Sequence, residues 1–283
     1  MKILYITIGD HMDYQNDSAL IGLKELFGAD VVDVNKQHHN YDTYDADLAK
    51  TMYGKGMTVT RVLQDLPVDR TDIKNKIKTK YFDYIVYGSI WRCSSYINEV
   101  LSYYDPSKVI IIDGEDETNI NNTFNLGTHY FKRELIHKND RLKPISFAIP
   151  TSKVNFNKDK KKDRAFITPQ DTSTYIYDNE DDYYNDYNEA RFGITTKKHG
   201  WDCMRHYEIL ANGCIPHFLD IDSCPELIMH NFPKSLCKEV NQLLKSTSPQ
   251  DVYDEYAEKF EQHLLNNNTT KQLATYIIDA VKE

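Results

Sequence analysis

A chain of 283 residues, 40% of them hydrophobic, is long enough for one large α/β domain or two of ordinary size. Its 34 basic and 43 acidic residues leave a formal net charge of −9, which excludes a general electrostatic pull towards nucleic acid or an anionic membrane. Five cysteines, an odd number with no CxxC pair, argue against a zinc site or a disulfide framework and for a reducing, cytoplasmic setting. The opening MKILYITIGD turns polar too early for a signal peptide, and no run approaches the roughly 18 apolar residues of a membrane span.

In chain order, residues 2–8 read as a first strand, and residues 17–27 carry helical spacing with Gly28 as the stop. Residues 31–34, 84–87, 109–112 and 145–149 read as further strands. The 84–87 strand is closed by Gly88, and the 109–112 strand runs into Asp113-Gly114-Glu115-Asp116. Residues 151–163, TSKVNFNKDKKKD, are polar and lysine-rich without apolar periodicity and read as a linker. A second set of strands is expected at 165–168, 192–195 and 214–219, with helices at 201–212, 225–231, 250–265 and 271–282. The acidic, tyrosine-rich run 175–189 is expected to form a surface helix or lid. The expected fold is α/β, with two Rossmann-like domains at 1–150 and 164–283 and an inter-domain cleft at the carboxyl ends of the strands.

Residues 192–218, FGITTKKHGWDCMRHYEILANGCIPHF, read as strand, loop, helix, tight turn and strand. Lys197 and Lys198 sit in the loop, where cations and helix N-terminal amides can hold a diphosphate. Asp202 is a candidate cap for the helix. Arg205 and Glu208, three apart, share one helix face, which also suits an ordinary surface ion pair.

The string RHYEILANGCIPHF resembles the E-A-L-A-x-G-x-P helix-turn-strand of GT-B glycosyltransferases, closest in style to exostosin-like and related viral or bacterial sugar transferases. The resemblance covers about 35 residues of the second half. It implies that Glu208 holds the ribose of a nucleotide sugar and that Gly213 to Pro216 form the turn, with one residue more than the commonest form. It implies that Lys197, Lys198 or Arg205 bind the diphosphate, with Arg133 reaching it from the first half. An acid that many members carry upstream of the glutamate has no counterpart near Gly200; the nearest is Asp202. The implied reaction is glycosyl transfer from a nucleotide diphosphate sugar to a hydroxyl, with no required cofactor or metal and a last helix that crosses back to the first domain. A glycan, a protein or a hydroxymethylated base of viral DNA all fit as acceptor. The acidic balance weighs against DNA, and a basic stripe at 158–162 weighs for it.

Two post-strand loops offer a general base: His11 and Asp13 after the first strand, and Asp113, Glu115 and Asp116 after the 109–112 strand. The same residues also suit turn formation and capping. Asp220-Ile221-Asp222 has the D-x-D spacing with which GT-A transferases hold a divalent cation, although Asp45-Ala46-Asp47 repeats that spacing and His38-His39 lacks further ligands. Competing functional readings are a nucleotide-binding regulatory module without turnover, a sugar-nucleotide epimerase and a pure interaction protein.

Overall fold

The computed structural model describes residues 1–121, 129–137, 139–156, 162–167 and 176–282. Residues 157–161, Thr168 and Tyr175, which fall within the linker, strand and tyrosine-rich run expected above, lie outside the described residues. The elements run β1 Ile3–Ile6, α1 Tyr14–Phe27, β2 Val31–Val34, α2 Ala46–Lys50, α3 Ile73–Lys78, β3 Tyr84–Tyr87, α4 Ile97–Tyr103, β4 Val109–Asp113, β5 His129–Lys132 and β6 Leu142–Pro144. They continue with β7 Arg164–Ile167, α5 Glu180–Asn188, β8 Ala190–Thr195, α6 Met204–Ala211, β9 Ile215–Phe218, α7 Lys234–Leu243, α8 Pro249–Asn267 and α9 Thr270–Ala280.

Two parallel sheets result. The larger has the order β2-β1-β3-β4-β5-β6 and the smaller β7-β8-β9. The first order is Rossmann-like, and its topological switch lies between β1 and β3. β1 to β4 are buried at every position, as expected of largely apolar strands covered on both faces; the two carboxylates they bury, Asp33 and Asp113, are paired with Lys24 and Arg70 and with Lys132. Alternation along each strand divides the core. Ile3, Tyr5, Val86, Ile110 and Ile112 face α1 and α9, while Leu4, Ile6, Ile85, Tyr87 and Ile111 face α3 and α4. The smaller sheet packs Phe192, Ile215 and Phe218 against α6, α7 and α8, in a cluster that also takes in Ile21, Val59, Phe147 and Ile149 of the first half.

The chain ends on the larger sheet. Leu273, Ala274, Ile277 and Ile278 of α9 join α1 in its core. Ile149 bridges to Thr269 in parallel, and Thr270 Oγ1 donates to Glu25 at 2.7 Å.

Three expectations need correction. The strand expected at 145–149 falls instead at Leu142–Pro144, and the chain beyond it stays extended only to pair Ile145 N with Lys132 O and Ile149 with Thr269. β5 was not expected, because His129 and Lys132 break its apolar alternation. The helix expected at 225–231 is a set of turns with Met229 at φ 51°, whose Pro225, Glu226 and Ile228 carbonyls accept from Lys234 Nζ rather than from amides four residues on. The tyrosine-rich run forms the helix α5, which exposes Asp181, Asp182 and Asn185 and buries Tyr183, Tyr184 and Tyr187 against Ile209, Ala190 and Met57. Among the described residues no helix is long and apolar enough to cross a membrane.

Candidate functional site

The carboxyl ends of both sheets open on one cleft of about 600 Å³. The smaller sheet contributes the loop after β8 and the start of α6: Lys198 and His199 are exposed there, and Arg205 and Glu208 follow on α6. The larger sheet contributes Asp13 after β1, Arg92 after β3, Asp116 after β4, Arg133 after β5 and Phe147 after β6. This is where an open parallel sheet places its ligand, because the loops leaving adjacent strands diverge at the switch point.

α6 begins one residue later than Asp202 can cap. Its N-cap is Cys203, with no side-chain cap hydrogen bond, so no side chain seals the first turn. Asp202 instead ties the two halves together. It accepts from Phe147 N at 2.7 Å and from Tyr207 OH at 2.9 Å. Burial pushes its carboxyl up to about 6, against the opposing charge of Arg133.

Glu208 is buried on the cleft wall. Its Oε1 accepts from Thr58 Oγ1, and its Oε2 accepts from Tyr183 OH at 2.7 Å. Burial pushes this carboxyl up, while those two hydrogen bonds and the charge of Arg205 hold it down. Each carboxylate oxygen has two acceptor sites, and Thr58 and Tyr183 take one on each. Thr58 is itself unusual, a β-branched residue at φ 75°. Three contacts hold it there: its N donates to Glu180 Oε1 at 2.5 Å, its hydroxyl donates to Glu208, and Tyr184 OH lies 2.8 Å from that hydroxyl.

Arg133 is only 2% exposed. It donates to Gly114 O at 2.9 Å, to Asp202 O at 2.7 Å and to Asp116, and its guanidinium lies 4.6 Å from the Phe147 ring centroid. Arg133 thus pins the two halves at the cleft floor. Gly200 crosses that floor so closely that a Cβ would lie 2.7 Å from Glu134 Oε1 and 2.8 Å from Asp116 Oδ1. Arg92 pairs with Asp13 at 2.6 Å and with Glu115 at 2.9 Å. Asp13 also accepts from Asn16 N as the cap of α1.

Of the five candidate bases, Asp13 and Asp116 reach the cleft lining. Asp113 is buried under it, saturated by Lys132 Nζ at 2.9 Å, Trp91 Nε1 at 2.9 Å and Tyr130 OH at 2.5 Å. Glu115 turns to Arg92, with burial pushing its carboxyl up, and His11 is exposed on the turn before α1. Lys197 lies over the Trp201 ring at 5.3 Å and donates its amide to Asp220. Asp220 is thereby occupied, Asp222 faces Lys238 at 3.7 Å, and Asp45 caps α2. Among the described residues no group of three or more His, Cys, Asp or Glu could hold a metal ion. Lys162, the described end of the basic stripe, donates to the carbonyls of Tyr187 and Asn212.

The sequence reading missed Arg92, His199, Thr58 and Tyr183. Arg92 follows a strand as Asp113 does and was open to the same rule. Thr58 and Tyr183 meet Glu208 only through the tertiary fold. No family model matches the chain, and no curated protein matches it.

Proposed function

We propose that the chain is a glycosyltransferase of GT-B type that moves a sugar from a nucleotide diphosphate donor to an acceptor hydroxyl. One observation carries the reading: the uncapped first turn of α6 opens between Lys198 and Arg205, and Glu208 follows one turn along the same helix. Amide dipoles and cations suit a diphosphate, and a carboxylate one turn away suits the attached ribose. A cleft of about 600 Å³ is of the size that small-molecule sites have. In the proposed step the acceptor oxygen bonds to the sugar C1 as the bond from C1 to the diphosphate breaks. The electron pair leaves on the diphosphate, where Lys198, Arg205 and the α6 amides stabilise it. The acceptor proton passes to Asp116, more open than Asp13, whose side chain is 7% exposed against 37% for Asp116.

The test is thermal melting with UDP, GDP, ADP, CMP and dTDP sugars on the wild type and on Glu208→Gln. A donor at 100 times its Kd adds about 2.7 kcal/mol, a shift of several degrees. The expected result is a shift for one nucleotide class that shrinks in Glu208→Gln. No shift with any nucleotide sugar removes the reading, and conversion of the donor without an acceptor replaces it with an epimerase.

A further inference from the structure

The geometry points to Tyr53 as the stacking platform for the nucleobase of the donor, a role that rests on the transferase reading and extends it to the other end of the nucleotide. Tyr53 lines the cleft and is 67% exposed, which leaves most of its ring open to a ligand in the cleft. Its inner edge meets Tyr14 with ring centroids 6.1 Å apart, and Tyr14 meets Phe147 at 6.2 Å. A file of rings therefore runs from the cleft floor to its mouth.

The loop that carries Tyr53 is built for this presentation. Gly54 and Lys55 adopt φ of 59° and 54° in sequence. A Cβ on Gly54 would lie 2.5 Å from the Tyr14 hydroxyl, so the loop sits directly on that ring. Left-handed backbone at a lysine persists only where surroundings hold it. Here Lys55 Nζ donates to Tyr177 O and pairs with Asp178 at 2.8 Å, and three residues on Thr58 donates to Glu208. The loop is thus fastened to the carboxylate assigned to the ribose. Tyr14 beneath it feels the same group, since burial first and the Glu208 charge next push its phenol well up. A base attached to a ribose on Glu208 has Tyr53, Tyr14, Met52 and Met57 as its apolar surroundings.

The experiment is calorimetric titration of UDP, GDP, ADP, dTDP and inorganic pyrophosphate into the wild type, Tyr53→Ala, Tyr53→Trp and Glu208→Gln. Tyr53 is exposed, so its variants leave the core intact. Removing a base-stacking ring costs about tenfold or more in affinity. The expected result is that loss in Tyr53→Ala for the nucleoside diphosphate the wild type prefers, recovery in Tyr53→Trp and unchanged pyrophosphate affinity. Equal nucleoside diphosphate affinity in Tyr53→Ala overturns the platform, and so does a loss that pyrophosphate shares. If Glu208→Gln weakens binding while Tyr53→Ala does not, the transferase reading stands and the platform alone falls. If the wild type binds no nucleoside diphosphate, both fall.

Discussion

Replacing Lys132 by Met should destabilise the protein by about 3 kcal/mol at pH 7. Lys132 and Asp113 are both 0% exposed and pair at 2.9 Å at the ends of adjacent strands β5 and β4. Removing one member of a buried pair leaves the other charge uncompensated, which costs about 3–5 kcal/mol. The lower end applies, because Trp91 Nε1 and Tyr130 OH still donate to Asp113 in the variant. Lys132 also donates to Glu115 O at 3.0 Å, so the β4 loop loses a tie that positions Asp116 beside the cleft. At 2–4 °C per kcal/mol for a chain approaching this size, the melting temperature should fall by about 10 °C. The assay is thermal and urea unfolding of the wild type, Lys132→Met, and Lys132→Met combined with Asp113→Asn. The neutral amide can still accept from Trp91 and Tyr130, so the double variant should recover most of the loss. A single variant within about 2 °C of wild type, or a double variant no better than the single, would refute the argument that an unpaired buried charge sets the cost.

Gly200→Ala should cost about 1–3 kcal/mol, because its Cβ would press on Glu134, Asp116 and Arg133 at 2.7, 2.8 and 3.2 Å and two of these are buried; an unchanged urea midpoint would show that the floor yields. Burial holds His206 down at about 3, against 6.5 when unfolded, so the unfolded state binds more protons between these values. His206 should therefore support stability that is complete above pH 6.5 and is lost as pH falls towards 3, at up to about 1.4 kcal/mol per pH unit. Asp202, raised to about 6 from 3.8, works the other way: folding favours its protonated form, so its contribution declines as pH rises through that window. Urea midpoints across pH 4–6.5 should fall more steeply on acidification in Asp202→Asn and less steeply in His206→Asn, and parallel profiles would contradict both assignments.

The strands of the larger sheet were legible where burial on both faces demands apolar residues, as in YIVY at β3 and in VVDV at β2, whose one charge, Asp33, is paired by Lys24 and Arg70. β5 was not, because its Lys132 is buried by a partner on another strand, and only the fold supplies that partner. The cleft segment was read in the right order of elements, and the structure brings Lys198, Arg205 and Glu208 together on one wall. Lys197, adjacent to Lys198, was indistinguishable from it by sequence, yet the loop turns it onto Trp201. Asp202 looked like a cap by position, but its buried surroundings recruit both of its oxygens for other donors. Thr58 had no local signal at all: nothing near it in sequence announces a left-handed threonine, whose reason is Glu208, 150 residues away.

The packing of α9 on α1 also sets a timetable for synthesis. The strands of the larger sheet are complete once β6 has been made, but its α1-side core is still missing Leu273, Ala274, Ile277 and Ile278. At roughly 5–20 residues per second, the chain waits on the order of ten seconds for those side chains to emerge. During that interval Ile110, Ile112 and Phe131 lack part of their cover. The nascent chain therefore carries an apolar seam that chaperones can occupy, and a ribosome that stalls anywhere in the second half leaves the first half unfinished.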